Sequence, residues 1–286
     1  MTEALAKKET VKSLLALAGY KQRFSELMRE RAPQFMASLA ALAASNRNLS
    51  QCDPKSVVAS AFIAATLDLP IEPNLGFAHI VPYKERAQFQ IGWRGYVQLA
   101  LRTGQYKRLS VFPVNAAAFK GFDEFAEAAI DFTKWDDTEP AVGYCLIFEL
   151  VNGFKKSVFW TDKKIRSHAE RYSQAYKKKK TDSPWFTHYP EMALKTVCSN
   201  GLRQFGILSA QMREAIKADQ AVYADVDAEP AYIDNPETSL KPPMPVVVPP
   251  GETTDAQVVQ EVATGNEKAA SVVKGHLEGL GGGDER

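Results

Sequence analysis

The chain has 286 residues, 45% of them hydrophobic and 24% charged, with a formal net charge of +1. That length allows one large domain or two smaller ones with ample core. No apolar run approaches the roughly 18 residues of a membrane span, the polar N-terminus does not resemble a signal peptide, and three scattered cysteines suit buried, reduced thiols in a cytoplasm rather than disulfides or zinc.

The first 70 residues read as helical. Residues 20–44 are rich in Ala, Leu, Met, Arg and Glu, with Pro33 starting a second helix. Asp53 and Pro54 form a cap and first-turn proline ahead of an apolar run over 57–67, which Asp68-Leu69-Pro70 stops. The period then changes. Residues 77–83 and 87–94 read as two strands joined by a turn at Lys84-Glu85-Arg86. On the second strand Ala87, Phe89, Ile91 and Trp93 share one face, and Gln88, Gln90 and Arg94 share the other. Trp93 is therefore expected in the core and Arg94 outside it. A short helix over 96–102 stops at Gly104, and 106–114 reads as a third strand.

Residues 123–139 read as an acidic loop, with Trp135 pinned to the body. Strands over 143–150 and 154–160 flank Asn152-Gly153, a strong hairpin signal. Thr161 caps a helix running toward Lys180, another helix follows over 189–205, and helical character reaches about 221. Seven prolines then fall between Pro230 and Pro250. The division expected is a folded body over 1–225 and a disordered, acidic, Pro/Gly-rich tail over 226–286, too poor in apolar groups to offset the entropy of folding. Within that tail, 258–280 could form a helix on a partner.

Charge is segregated along the chain. Residues 155–203 carry twelve basic and four acidic groups, whereas 204–286 carry six basic and fourteen acidic. Residues 76–114 hold Lys84, Arg86, Arg94, Arg102, Lys107 and Arg108 against Glu85 alone, with aromatics threaded among them. Cations beside flat π-faces suit a polyanion with stackable bases, which points to single-stranded nucleic acid. The plain alternative is two solvated faces of opposite sign.

After Trp160, Ile165, Ala169, Tyr172 and Tyr176 fall on one helical face and Lys164, His168, Arg171 and Lys178 on a neighbouring one. An apolar stripe would hold this helix down while a cationic stripe faces phosphate. Lys163, Arg166 and Lys177 add to the charge. On the next helix Lys195, Ser199 and Arg203 recur every four residues, away from Leu194, Val197 and Phe205, and could track a phosphate backbone. Trp160 and Trp185 are expected to be structural.

Catalysis has little support. The phosphate-loop motif of nucleotide hydrolases is missing, and the four histidines lack metal-ligand spacing. A magnesium-dependent nuclease would need Asp131, Asp136, Asp137 and Glu139 to converge. Gly92-Trp93-Arg94-Gly95 fits the short GxxG pattern of KH domains, but a strand precedes it where KH has a helix.

Asn74-Leu75-Gly76, His79-Ile80-Val81-Pro82-Tyr83, the run from Ala87 through Gly95 and the segment 96–104 together resemble the phage-encoded RecT recombinases. The resemblance covers roughly 11–221, and 88–95 is its most specific part. It implies an ATP-independent single-strand annealing protein, not an enzyme, acting in the cytoplasm of a bacterial host. Such proteins bind single-stranded DNA, pair it with its complement and hold the duplex in a ring or helical oligomer. The fold implied is α+β: a β-hairpin and a small antiparallel sheet packed on a long helix with flanking helices, as in lambda Beta and the eukaryotic annealing recombinases. The implied partners are single-stranded and annealed duplex DNA, further copies of the chain, a RecE-type exonuclease and a host single-strand binding protein. No cofactor is implied, magnesium entering only with the DNA.

By this resemblance Arg94, Lys163, Lys164, Arg166, Arg171, Lys177, Lys178, Lys195, Ser199 and Arg203 would hold phosphates, with Lys107 and Arg108 as second choices. A passive single-stranded DNA or RNA binding protein is the rival reading, and composition does not separate the two.

Overall fold

The computed structural model describes residues 9–124 and 127–232, all within one compact unit, Met1–Ser239. It opens with four helices, α1 (Val11–Ala16), α2 (Ala18–Met28), α3 (Ala32–Ser45) and α4 (Pro54–Thr66). Thr10 and Ser13 form a reciprocal capping box on α1. Pro33 lies in the first turn of α3, and Asp53 Oδ1 accepts the Lys55 N–H at 3.1 Å to cap α4, as the sequence indicates. Val57, Val58, Ala61, Ala64 and Ala65 of α4 are buried, and their small side chains let α1, α2 and α3 pack around it.

A hairpin follows, β1 (Ala78–Tyr83) and β2 (Arg86–Ile91), paired from Ala78↔Ile91 to Tyr83↔Arg86. Two expectations are corrected here. Arg86 belongs to the strand, so the turn is Lys84-Glu85, with Lys84 in the left-handed region. Trp93 and Arg94 are not strand residues but the first turn of α5 (Trp93–Leu101). The Gly92 N–H donates to Phe77 O at 2.9 Å, and a Cβ at Gly92 would stand 2.1 Å from Gly76 O. One at Gly95 would stand 2.3 Å from Phe77 O. The two glycines let the helix start directly against another stretch of backbone, and that ends the strand three residues early.

Next come β3 (Tyr106–Asn115), β4 (Phe119–Phe122), β5 (Ala128–Ile130), β6 (Ala141–Leu150) and β7 (Lys155–Thr161). They form a three-stranded antiparallel sheet of order β3-β6-β7 and a small β4-β5 ladder. The expected acidic loop over 123–139 thus contains a strand, β5. Trp135 is pinned as anticipated, its Nε1–H donating to Pro113 O at 2.8 Å. The β6–β7 turn closes through Gly153 N–H to Leu150 O at 3.0 Å, with Gly153 at φ +90°.

The rest is helical: α6 (Asp162–Tyr172), α7 (Gln174–Lys177), α8 (Pro184–Thr187), α9 (Tyr189–Phe205) and α10 (Ala210–Ala218). The helix expected to run on toward Lys180 instead stops at Tyr172. Ser173 is extended and its Oγ accepts the Tyr176 N–H, so a serine that reads as helix interior acts as a cap. The 17-residue α9 lies across all three strands of the larger sheet and also against α5. This α+β arrangement matches the expected fold. Cys52, Cys145 and Cys198 are buried free thiols, as foreseen.

Beyond α10, residues 219–222 run along the outer side of β2. The Gln220 N–H donates to Phe89 O at 2.9 Å, Val222 bridges Gln88, and Gln88 Nε2 reaches Gln220 O. This strap buries Gln88, which strand alternation had placed facing outward. Contacts continue past 225: Arg23 pairs with Asp227, Val222 with Ala231, and the Tyr232 hydroxyl donates to Lys217 O. The remainder of the expected tail, including 258–280, lies outside the described residues.

Candidate nucleic-acid interface

Helix α6 is held from three sides. The Thr161 hydroxyl accepts the Lys164 N–H at 3.2 Å, and Ile165 and Ala169 are fully buried. At its first turn Arg166 Nε donates to Asp162 Oδ2 at 2.6 Å, and the Tyr189 hydroxyl donates to Asp162 Oδ1 at 2.6 Å. The guanidinium also lies 4.4 Å from the Tyr189 ring centre. Burial and then Asp162 push the Tyr189 phenol up, and the hydrogen bond to Asp162 raises the Arg166 guanidinium. Arg166, expected as a phosphate ligand, thus has its Nε engaged in holding α6 to α9, while its side chain stays 53% exposed.

The outward face of α6 is different. Lys163, Lys164, Arg171, Lys177 and Lys178 are exposed, and none has a carboxylate partner among the described residues. Aromatic rings run between them. Lys164 Nζ sits 4.2 Å from the Trp160 ring centre; Trp160 meets His168 at 5.4 Å, and His168 meets Tyr172 at 4.6 Å. Arg171 lies 5.3 Å from the Tyr172 ring. Past α7, Tyr176 stacks on Phe186 at 5.3 Å and 14°. Tyr172 is 46% exposed and Phe186 43%. Tyr172 therefore leaves the apolar stripe assigned to it, because α6 ends there. Burial, then Arg171 and Lys164, lower the His168 pKa.

A cationic face laddered with rings, and no cluster of acids or nucleophiles beside it, fits a charged strand better than a reacting small molecule. Comparison with known proteins gives the family. The RecT family model matches residues 33–234. The chain belongs to the RecT family. It is similar to Uncharacterized protein YqaK of Bacillus subtilis (strain 168), 41% identical over 241 residues, covering 80% of this chain and 82% of that one. It is also similar to Protein RecT of Escherichia coli (strain K12), 27% identical over 206 residues, covering 67% and 70%. In general terms this RecT-family chain is a single-strand annealing recombination protein, of a family whose members are annealing proteins rather than catalysts.

The other candidate residues of this RecT-family chain are dispersed. Lys195 is not on an outward stripe: it is 8% exposed and its Nζ donates to Asp219 Oδ1 at 2.9 Å. Ser199 is half-buried and hydrogen-bonds the Tyr96 hydroxyl, whose pKa rises well above its ordinary value, chiefly through burial. Of that line only Arg203 faces solvent. Sequence pattern supplied one apolar face for α9, whereas the helix is covered on two, by the sheet and by α5.

Arg94 is exposed, but from a helix rather than a strand; it lies over Trp93 at 5.1 Å, with Nη1 3.4 Å from Leu75 O. Trp93 packs against the core while its Nε1–H donates to Glu191 Oε2 at 2.5 Å.

Lys107 and Arg108 share Glu149, at 3.1 Å and 4.0 Å, and Lys107 holds that carboxyl below its ordinary value. Glu149 pairs with Lys155 at one end of the sheet, whereas Thr161, where α6 begins, pairs with Gly143 at the other. Six residues of strand, about 20 Å, separate Glu149 from the level at which α6 begins. His168 lies on the cationic stripe as expected; Tyr172, Tyr176 and Phe186 were not read as part of this face, although their clustering among lysines was the available signal.

The acids at 131, 136 and 139 are engaged by loop hydroxyls and by Asn115 rather than by one another. Asp131 Oδ1 accepts from Thr133, Asp136 Oδ1 from Thr138, and Glu139 Oε2 from Asn115 Nδ2, each at 2.6 Å. Among the described residues no group of three His, Cys, Asp or Glu side chains could hold a metal ion, and no helix is long and apolar enough to cross a membrane.

Proposed function

We propose that this chain binds single-stranded DNA along the α6–α7 face and anneals it to its complement without ATP, as an oligomer that retains the duplex. The observation that carries this reading is a set of exposed cations, Lys163, Lys164, Arg171, Lys177 and Lys178, which have no carboxylate partner among the described residues and are interleaved with the Trp160–His168–Tyr172 and Tyr176–Phe186 rings. Folding does not need unneutralised charge there; a polyanion does.

Annealing is slowed by repulsion between two polyanions and by the search for register. Cations that grip phosphates reduce the first, and exchange of condensed counterions supplies affinity. Because phosphates carry no sequence information, the same face serves any strand, and base pairing supplies specificity. Exposed rings can stack on bases of any identity. Arg94 and Arg203 are further phosphate contacts in this reading; Lys195 is not. A RecE-type exonuclease would supply the single strand, and a host single-strand binding protein would be met on it in the cytoplasm.

The test is a quenched-fluorophore assay of two complementary oligonucleotides, without ATP, across a salt series. Pairing faster than the protein-free rate, absent for mismatched strands, is the result expected. Tight binding with unchanged or slower pairing would replace this reading with a passive coat for single-stranded nucleic acid.

A further inference from the structure

Lys164, His168 and Arg171 are spaced i, i+4 and i+7 on α6 and so share one face, spanning about 10 Å of helix axis. His168 lies between the two cations and between two rings, 5.4 Å from Trp160 and 4.6 Å from Tyr172. The charged groups acting on it are Arg171 and Lys164. Asp162, Arg166 and Tyr189 contact one another at the start of α6, and Lys177 of α7 lies beyond the Ser173 break. The imidazole is held in place by its rings, set between two positive charges and partly open to solvent.

We propose that His168 is a direct contact for the DNA phosphate that seats between Lys164 and Arg171, and that its imidazole takes up a proton as the strand binds. This rests on the α6–α7 face being the DNA site. In the free protein, burial and both cations disfavour the imidazolium. A phosphodiester placed between those cations offsets their repulsion and accepts a hydrogen bond from the charged ring, so the bound form holds the proton more tightly. The DNA-bound state thus carries the higher His168 pKa. Affinity must rise as pH falls through the window between the free and bound values, and level off below the free one.

Two measurements test this. The first is affinity for an oligothymidylate at fixed salt over about pH 5 to 8, the range in which histidine switches. The expectation is a rise of up to about tenfold per pH unit, the limit for one proton per site. His168→Phe keeps a ring between Trp160 and Tyr172 but cannot be protonated, and should flatten that profile. His188→Gln, a histidine outside this face, should leave it sloped. The second is calorimetry of the unaltered protein in two buffers of different ionisation enthalpy, which should show proton uptake on binding. An unaltered slope in His168→Phe, or no proton uptake by the unaltered protein, overturns the assignment. Failure to bind the oligonucleotide at any pH in low salt would instead overturn the reading of the chain as a single-strand binder.

Discussion

Lys195 Nζ and Asp219 Oδ1 lie 2.9 Å apart with their side chains only 11% and 12% exposed. The same Oδ1 accepts the Ile91 N–H at 3.0 Å, and Oδ2 accepts the Tyr96 hydroxyl at 3.2 Å. One carboxylate thus joins β2, α5 and α9, and Lys195 is the cation that makes its burial tolerable.

Lys195→Ala should therefore destabilise the protein, by about 3 kcal/mol, because it leaves a buried carboxylate without its counter-charge. Arg203→Ala, two turns on and exposed, should stay within about 0.5 kcal/mol. Urea unfolding of the two variants decides this. Equal midpoints would mean that Lys195 is not the structural member of the pair.

Lys164→Ala combined with Arg171→Ala should leave the unfolding midpoint nearly unchanged and weaken single-strand binding. If both side chains contact phosphate, the slope of log affinity against log salt falls by about 1.4, at about 0.7 per contact. Lys107→Ala with Arg108→Ala, cations already sharing Glu149, should change that slope less. Titrations at several salt concentrations compare the pairs, and a larger loss from the second pair would move the DNA to the other end of the sheet.

Gly92→Ala places a Cβ against the Gly76 carbonyl and should cost about 3 kcal/mol, the upper end for overpacking where the obstacle is backbone. Gly19→Ala meets nothing within 4 Å on α2 and should be neutral or stabilising by up to about 1 kcal/mol. Thermal melts of the two variants should move in opposite directions, or the Gly92 melt alone should fall.

The Tyr20 hydroxyl donates to Asp225 Oδ1 at 2.9 Å, and burial, then Asp225, push the phenol up to about 12. A phenol that holds its proton more tightly folded than unfolded contributes stability below its ordinary value of 10.0, and this is lost as pH rises through about 12. Tyr20→Phe should cost about 1 kcal/mol at pH 7 and converge on the parent protein above that window. A constant difference through alkaline pH would mean that the phenol's proton plays no part.

Much of this was legible in the sequence, for local reasons. The cap and proline at Asp53-Pro54, the Asn152-Gly153 turn and the limits of α9 each follow from residues adjacent in the chain. What could not be read depends on residues far apart. Trp93 and Arg94 continue the alternation of β2 perfectly well, and only the approach of the Gly76 carbonyl to Gly92 turns them into a helix start. Lys195 keeps the spacing of a solvated stripe until Asp219 arrives from beyond the next helix. Arg166 and Lys164, two residues apart, looked equivalent; Tyr189 and Asp162 capture one and leave the other free. Segments of basic charge were therefore easier to place than the single side chains within them.

The strap over 219–222 bears on how the molecule keeps its shape. An exposed strand edge offers unpaired backbone to any neighbouring chain, and natural sheets guard such edges. On β2 the guard is supplied by the Gln220 N–H, by Val222 and by the carboxylate of Asp219, more than a hundred residues later in the chain. A chain cut ahead of Asp219 would leave that edge bare and open to pairing with a second copy, an association that owes nothing to DNA.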